Sequence, residues 1–287
     1  MTSKRIAILF HKEDTQEIIK SCFLSYLSKF WKEDGHEVIY LFGVDEYVPA
    51  DILIVHVDLS IVPESYLEFT KKYPVVLNEK IKDIRKSTIS QNLLNLHDNW
   101  NGRVIVKTNR NCSGMPELLR DGFKGKMKKF YYRNLKRLRL QKLLKVPLFA
   151  RDYKVYDHLN DVPHYCFNHP ELVVEKFTPE KEEDHYCIRY YCFLGDRFIC
   201  RLLKSKSPIV KGNTTEITEE ISEPAPQIIN LKNQMQFDYG KFDYVVLKGN
   251  VTLIDANKTI GVSININSPN SIRVKHRYLA EGLYDYF

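Results

Sequence analysis

The chain has 287 residues, 44% of them hydrophobic, and a formal net charge of +7. That composition supports a substantial core and excludes intrinsic disorder, and no stretch approaches the roughly 20 apolar residues needed to span a bilayer. Residues 122–151 hold eleven Lys or Arg and no Asp or Glu, so the rest of the chain is net acidic; this excludes a uniformly basic nucleic-acid binder.

In chain order, Ile6 to Phe10 is a short apolar run behind Lys4 and Arg5. It is too short for a secretory signal and reads as a first strand. Apolar residues Ile18, Ile19, Cys22, Phe23, Tyr26, Leu27 and Phe30 then recur at helical spacing over 15–31, with Gly35 as a stop. Residues 38–42, 51–57 and 75–77 read as further strands, and 64–72, behind Pro63, as a helix. This β-α-β-β-α-β order predicts a small open α/β domain over 1–77.

A central unit over 78–172 follows. It holds a strand ending in Lys107, a polar loop over 108–114 and the basic stretch. In that stretch Tyr131, Leu135 and Leu138 fall at helical spacing, which predicts a basic amphipathic helical insertion at about 122–151. The third unit, 173–287, is strand-rich, with strands expected at 172–177, 186–194, 197–203, 242–247 and 251–254, a helix at 226–236 and a polar loop at 205–223.

The six cysteines form no CxxC pair, which points to a reduced, cytoplasmic setting, and Cys187 to Cys200 read as small hydrophobes in strands. The histidines read as non-ligands, with His56 the one placed at a strand end where it would face a substrate cleft.

The chemistry is concentrated in Asp243-x11-Asp255-Ala256-Asn257. Lys248-Gly249-Asn250 between them reads as a hairpin turn. Two antiparallel strands would bring Asp243, Asp255 and Asn257 to one end of the hairpin, a group of hard oxygen donors that suits Mg²⁺. A polar hairpin with turn-forming Asp and Asn gives the same pattern without a metal.

In order and spacing these residues resemble the ATP-grasp superfamily, in particular its carboxylate–amine ligases, where an acid on one late strand precedes an acid-x-Asn on the next. The resemblance covers about 78–262. It implies an α/β (α+β) ATP-grasp fold behind an N-terminal open α/β domain. It also implies that Asp243, Asp255 and Asn257 bind the magnesium ions bridging the phosphates of ATP, with Asp255 standing where Glu is more usual. Lys86 and Lys107 match lysines that contact the phosphates. The stretch with Glu175, Lys176 and Phe177 matches the hinge whose backbone binds adenine, and Glu183 or Asp184 the carboxylate for the ribose hydroxyls. Arg189 and Arg201 match phosphate- or substrate-facing arginines.

The loop over 108–114 departs from the pattern. It has a single glycine, Gly114, where family members often carry several, which leaves Ser113, Gly114 and Arg110 to approach the phosphates. The function implied is an ATP- and Mg²⁺-dependent ligase that joins a carboxylate to an amine through an acyl phosphate held by Arg189 or Arg201. Its substrates would be small or carrier-bound. Two other readings stand beside it: a kinase of ATP-grasp type, and a degenerate ATP-grasp binding protein that recruits an anionic partner through 122–151. The basic segment itself reads as a contact for an anionic substrate or carrier, a nucleic acid or a membrane surface, or as a solvated helix face. The acceptor and the oligomeric state have no signature in the sequence.

Overall fold

Strands β1 (Arg5–Phe10), β2 (Glu37–Phe42), β3 (Ile52–Val55) and β4 (Val76–Leu77) form a parallel sheet in the order β2-β1-β3-β4. β1 and β3 are near-continuous apolar runs because both faces of the sheet are covered. The computed structural model describes residues 2–122, 125, 127, 130, 131, 134, 146, 147, 152–261 and 270–287. The predicted basic insertion at about 122–151 lies almost entirely outside these residues.

The helix expected over 15–31 is divided into α1 (Gln16–Ser21) and α2 (Phe23–Glu33). Cys22 between them is extended, at φ −96° and ψ 142°. It makes a β-bridge to Gly261, and the Phe23 N–H donates to Ile260 O at 2.8 Å. A tertiary strand contact overrides a locally good helical pattern here. α3 (Glu64–Thr70) starts behind Pro63.

Next come α4 (Lys86–Ile89) and α5 (Met115–Arg120), and a three-stranded antiparallel sheet ordered β6-β5-β7. Its strands are β5 (Val104–Thr108), β6 (Lys154–Tyr156) and β7 (Leu172–Lys176), with the short α6 (Tyr165–Asn168) before β7. The last sheet holds β8 (Glu180–Glu182), β9 (His185–Leu194), β10 (Arg197–Ser205), β11 (Ile217–Ile221), β12 (Tyr239–Leu247) and β13 (Asn250–Asn257). Its order is β11-β10-β9-β12-β13, with β8 also paired to β9. β11 falls inside the segment expected to be a loop. It is an exposed edge strand with polar side chains, so the alternation that marks a half-buried strand is missing.

β12 and β13 are joined by the two-residue turn Lys248-Gly249, with φ of +51° and +80°. Two positive φ values match the twist of a tight hairpin, and glycine serves the second position at no steric cost. Two cores flank the large sheet. On one face, Cys192, Leu194 and Tyr239 pack with α2 and the parallel sheet, along with Leu279 of α8 (Asn270–Ala280). On the other, Tyr191, Phe193, Phe242 and Tyr244 pack with Ile228 of α7 (Pro226–Gln234).

Candidate functional site

A cleft of about 310 Å³ lies between the three-stranded sheet and the large sheet. Its walls carry Lys86, Lys107, Lys176, Lys211 and Asp255, with Ile105, Phe177, Val245 and Ile254 as apolar surface. Of the residues expected from sequence, Lys86, Lys107, Lys176, Phe177 and Asp255 therefore meet in one place.

Two buried ion pairs organise the lysines. Lys86 Nζ stands 3.2 Å from Asp255 Oδ1 across the cleft. Burial works against the Lys86 ammonium, but Asp255, Tyr153 and Glu175 outweigh it and raise its pKa. Burial likewise pushes Asp255 up, and Lys86, Lys211 and Lys241 together bring it below the usual carboxylate range. Lys107 Nζ lies 2.6 Å from Glu175 Oε2 between neighbouring strands β5 and β7. The backbone N–H groups of Lys86 and Ser87 donate to Asn109 O and Oδ1, both at 2.9 Å, which fixes the start of α4 to the segment leaving β5.

The large sheet contributes a single cross-strand row. Register pairs Glu220 with Arg201, Arg201 with Tyr190, Tyr190 with Asp243, and Asp243 with Asp255. Paired residues share a face, so five polar side chains line up on one side of the sheet. A bulge between Asp243 and Tyr244 makes this possible. Without that one-residue shift Asp255 would stand opposite Phe242, on the apolar face.

Like charges directly opposite one another repel, and two lysines answer that cost. Lys241 Nζ lies 2.7 Å from Asp243 Oδ2 and 5.3 Å from the Tyr190 ring centroid, while Lys86 faces Asp255. Burial opposes the Lys241 charge, and Asp243 raises its pKa above the ordinary value.

Asp243, Asp255 and Asn257 suit magnesium. They are hard oxygen donors on adjacent strands, and the buried Asp255 Oδ1 meets the Lys86 ammonium at 3.2 Å with no further hydrogen-bond partner among the described residues. Among the described residues no three His, Cys, Asp or Glu side chains form a cage. That suits a cation that takes only one or two protein carboxylates and shares the rest of its shell with phosphates and water.

Asn257 is tied into a chain of hydrogen bonds. Asn111 Nδ2 donates to Asn257 Oδ1 at 2.5 Å and to Ala256 O at 3.0 Å. The Asn111 N–H donates to Ser60 Oγ at 3.0 Å, and the Ser60 N–H to Glu117 Oε1 at 2.8 Å. The next three residues, Cys112, Ser113 and Gly114, have φ of +46°, +59° and +71°. Two consecutive non-glycine residues in the left-handed region cost about 1–2 kcal/mol each. Cys112 lines the cleft just described, while Ser113 and Gly114 line a second cavity of about 520 Å³ behind the turn.

The other expected residues are placed differently. Arg189 alternates with Tyr190 and so lies on the opposite face from Asp243, where its Nε and Nη2 grip Glu180 at 2.6–3.2 Å. Glu183 sits in the β8–β9 turn at φ +52°, away from the cleft walls, and Asp184 beside it pairs with Lys206 and His185. The N–H groups of Lys176 and Phe177 already donate to Asn92 O and Arg103 O, so these two donors are taken. His56 is buried against Phe10 and Tyr239 instead of facing a cleft, and burial pushes its pKa down to about 3.

Lys211, Lys241, Tyr153 and Asn111 were not expected. Lys241 carries a readable signal, since it stands two residues before Asp243 and therefore on the same strand face. The others come from loops.

No protein-family model matches the sequence, and no curated protein matches it. Solved structures do. D-alanyl-alanine synthetase A from Vibrio cholerae superposes with a TM-score of 0.52 at 10% identity, over 100% of this chain and 99% of that chain. D-alanine–D-alanine ligase from Bacillus anthracis gives 0.48 at 10% identity, over 99% and 97% of the two chains. A RimK domain protein from Sphaerobacter thermophilus gives 0.49 at 8% identity, over 98% of each. At 10% identity the first of these likenesses is one of fold.

Proposed function

We propose that this chain, which has the ATP-grasp fold, binds ATP with magnesium between its two antiparallel sheets and uses it to join a carboxylate to an amine. One observation carries the reading: cationic Lys86, Lys107, Lys176 and Lys211 share a cleft with the carboxylate Asp255, and Asp243 stands opposite Asp255 on its sheet. Such a cleft suits a phosphate chain and its metal, and the apolar Ile105, Phe177, Val245 and Ile254 suit the base.

When bound, magnesium neutralises phosphate charge and stabilises the charge that develops as the γ-phosphoryl group moves. Asp243, Asp255 and Asn257 would hold it. Lys107, held by Glu175, and Lys86, held by Asp255, would fix the phosphates without having to be reorganised during reaction. In the reaction a carboxylate oxygen attacks the γ-phosphorus and ADP leaves. The amine nitrogen then attacks the acyl carbon and gives up a proton to solvent, and phosphate leaves with the former carboxylate oxygen. Arg201, on the row of Asp243 and Asp255, is the arginine suited to hold the acyl phosphate; Arg189, on the other face, is not.

Calorimetric titration with ATP, with and without Mg²⁺, tests the nucleotide reading, and no saturable heat in either arm overturns it. Turnover in a metabolite extract tests the chemistry. Equal release of ADP and inorganic phosphate is expected, and ADP without phosphate would replace the ligase reading with phosphorylation of a hydroxyl.

A further inference from the structure

On the β12–β13 ladder Lys241 pairs with Asn257, and Asp243 with Asp255. Residues two apart on a strand share a face, and so do residues paired across two strands. These four side chains therefore form a square on one face of the sheet. Three corners are oxygen donors that suit magnesium, and the fourth is a cation. Lys241 is diagonal to Asp255, within reach of a long side chain.

The lysine corner is fixed from within its own strand. Lys241 Nζ lies 2.7 Å from Asp243 Oδ2 and 5.3 Å from the centroid of the Tyr190 ring. Both partners of this ion pair belong to β12, so the contact does not depend on how the two sheets around the cleft stand to each other. Lys86 is placed otherwise. It reaches Asp255 from α4 across the cleft and lines the cleft wall, where a phosphate can meet it. Lys241 and Asp243 are not among the residues of that wall, whereas Asp255 is. The Lys241 charge is therefore aimed at the acids and not at a nucleotide.

Two divalent ions in one site stand about 4 Å apart, and each magnesium needs oxygens at about 2 Å. The oxygens of the square are largely spoken for. Asp243 Oδ2 is held by Lys241, and Asp255 Oδ1 faces Lys86 at 3.2 Å. Asn257 Oδ1 already accepts from Asn111 Nδ2. One oxygen on each acid, and the second lone pair of the Asn257 amide oxygen, are left without an ammonium or an amide. That is a donor set for one ion, which completes its shell with phosphate and water.

We propose that Lys241 is a built-in cation standing in for the second metal of a two-ion site, so that this chain binds one magnesium ion with each ATP. The resemblance read from the sequence implies magnesium ions in the plural, and the square argues for a single one. The proposal deepens the nucleotide reading above and rests on it for the ATP.

The test counts ions. Manganese(II) replaces magnesium, since both take hard oxygen ligands, and its electron paramagnetic resonance distinguishes free from bound ions. It is titrated into the full-length protein with an ATP analogue that carries an imido bridge between the β- and γ-phosphates. Wild type should hold one manganese per bound nucleotide, with the spectrum of an isolated ion. Lys241→Ala uncovers an oxygen of Asp243 and removes the charge that repels a second ion. It should hold two, with the broadening of a spin-coupled pair. With one equivalent of manganese its affinity for the analogue should fall about tenfold, the scale of one charge-assisted contact, and excess manganese should restore it. Lys241→Arg keeps the charge and should stay at one ion.

Two ions per nucleotide in wild type overturn the proposal, as does a single ion at saturating manganese in folded Lys241→Ala. If Lys241→Ala does not fold, the wild-type count and Lys241→Gln, which keeps a side chain there without the charge, decide in the same way. Wild type that binds the analogue with two ions retains the ATP reading and loses this one. Wild type that binds no analogue, with or without metal, overturns both.

Discussion

Asp255 stands opposite Asp243 on the β12–β13 ladder only because a one-residue bulge lies between this pair and the hairpin turn. Asp255 thereby faces both the cleft and Lys86. Asp255→Asn removes one ligand charge and leaves the buried Lys86 ammonium unpaired. Magnesium-dependent turnover at saturating ATP should fall about 100-fold or more, and urea unfolding should show a loss of about 3 kcal/mol, because breaking one half of a buried pair strands the other. Turnover equal to wild type would remove Asp255 from the metal site.

The same carboxylate has a pH signature. Its folded pKa lies below the ordinary value, so the stability it contributes is present above the unfolded carboxylate range and is lost as pH falls through the folded value. Acid titration of wild type should therefore lose stability that Asp255→Asn has already lost. The stability difference between the two proteins should narrow as pH drops below about 4. A gap that stays constant into strong acid contradicts the assignment.

Lys107 and Glu175 form the second buried pair. Glu175→Gln should destabilise by about 3 kcal/mol and weaken ATP binding, because Lys107 loses the group that aims it. Glu175→Gln combined with Lys107→Met should recover part of the stability and none of the nucleotide affinity. Additive stability losses in that double-mutant cycle would show that the pair is not coupled.

Lys258 is fully buried, donates to Leu59 O at 2.5 Å, and has its pKa lowered to about 8 by burial. Below pH 8 the folded protein holds a charge it disfavours. Between pH 8 and the unfolded lysine value the folded state releases the proton and the unfolded state keeps it, so stability rises with pH. Relative to Lys258→Met, wild type should gain on the order of 2 kcal/mol between pH 7 and 9.5. Chemical unfolding at the two pH values checks the sign as well as the size.

The left-handed turn separates backbone cost from packing cost. Ser113→Gly relieves a positive φ at the expense of chain entropy and should be neutral to about 1 kcal/mol stabilising. Gly114→Val should destabilise by more than about 1 kcal/mol, although the nearest atom a Cβ would meet, Arg110 Cδ, is 3.5 Å away and in ordinary contact. Thermal unfolding that ranked the two variants in the opposite order would show that the turn relaxes.

That Asp243, Asp255 and Asn257 lie on one hairpin is legible in the sequence from its Lys-Gly turn, but the bulge that sets Asp255 opposite Asp243 is not. Lys86 and Lys107 are legible in order but not in partner. That Lys86 meets Asp255 is decided by how the two sheets pack. Arg189 and Arg201 look equivalent in sequence because both faces of β9 and β10 are largely covered, so apolar residues do not alternate and strand parity cannot be read. Lys211 reaches the cleft from a loop held by Thr214 and Thr215 hydroxyls on its own carbonyl. Asn111 reaches β13 from a turn whose conformation no residue preference announces. The break at Cys22 was hidden for the same reason, since a bridge to Gly261 lies far outside any helical window.

Asn257, Asn111, Ser60 and Glu117 form one continuous run of donors and acceptors linking the late hairpin, the strained turn, the loop beyond β3 and α5. A shorter side chain at 111 would strand Asn257 Oδ1 and Ala256 O, while the bond from the Asn111 backbone N–H to Ser60 Oγ would remain. Across related sequences positions 111 and 257, joined side chain to side chain, should therefore vary jointly or stay together, a correlation between two distant stretches of chain that is recoverable from covariation alone.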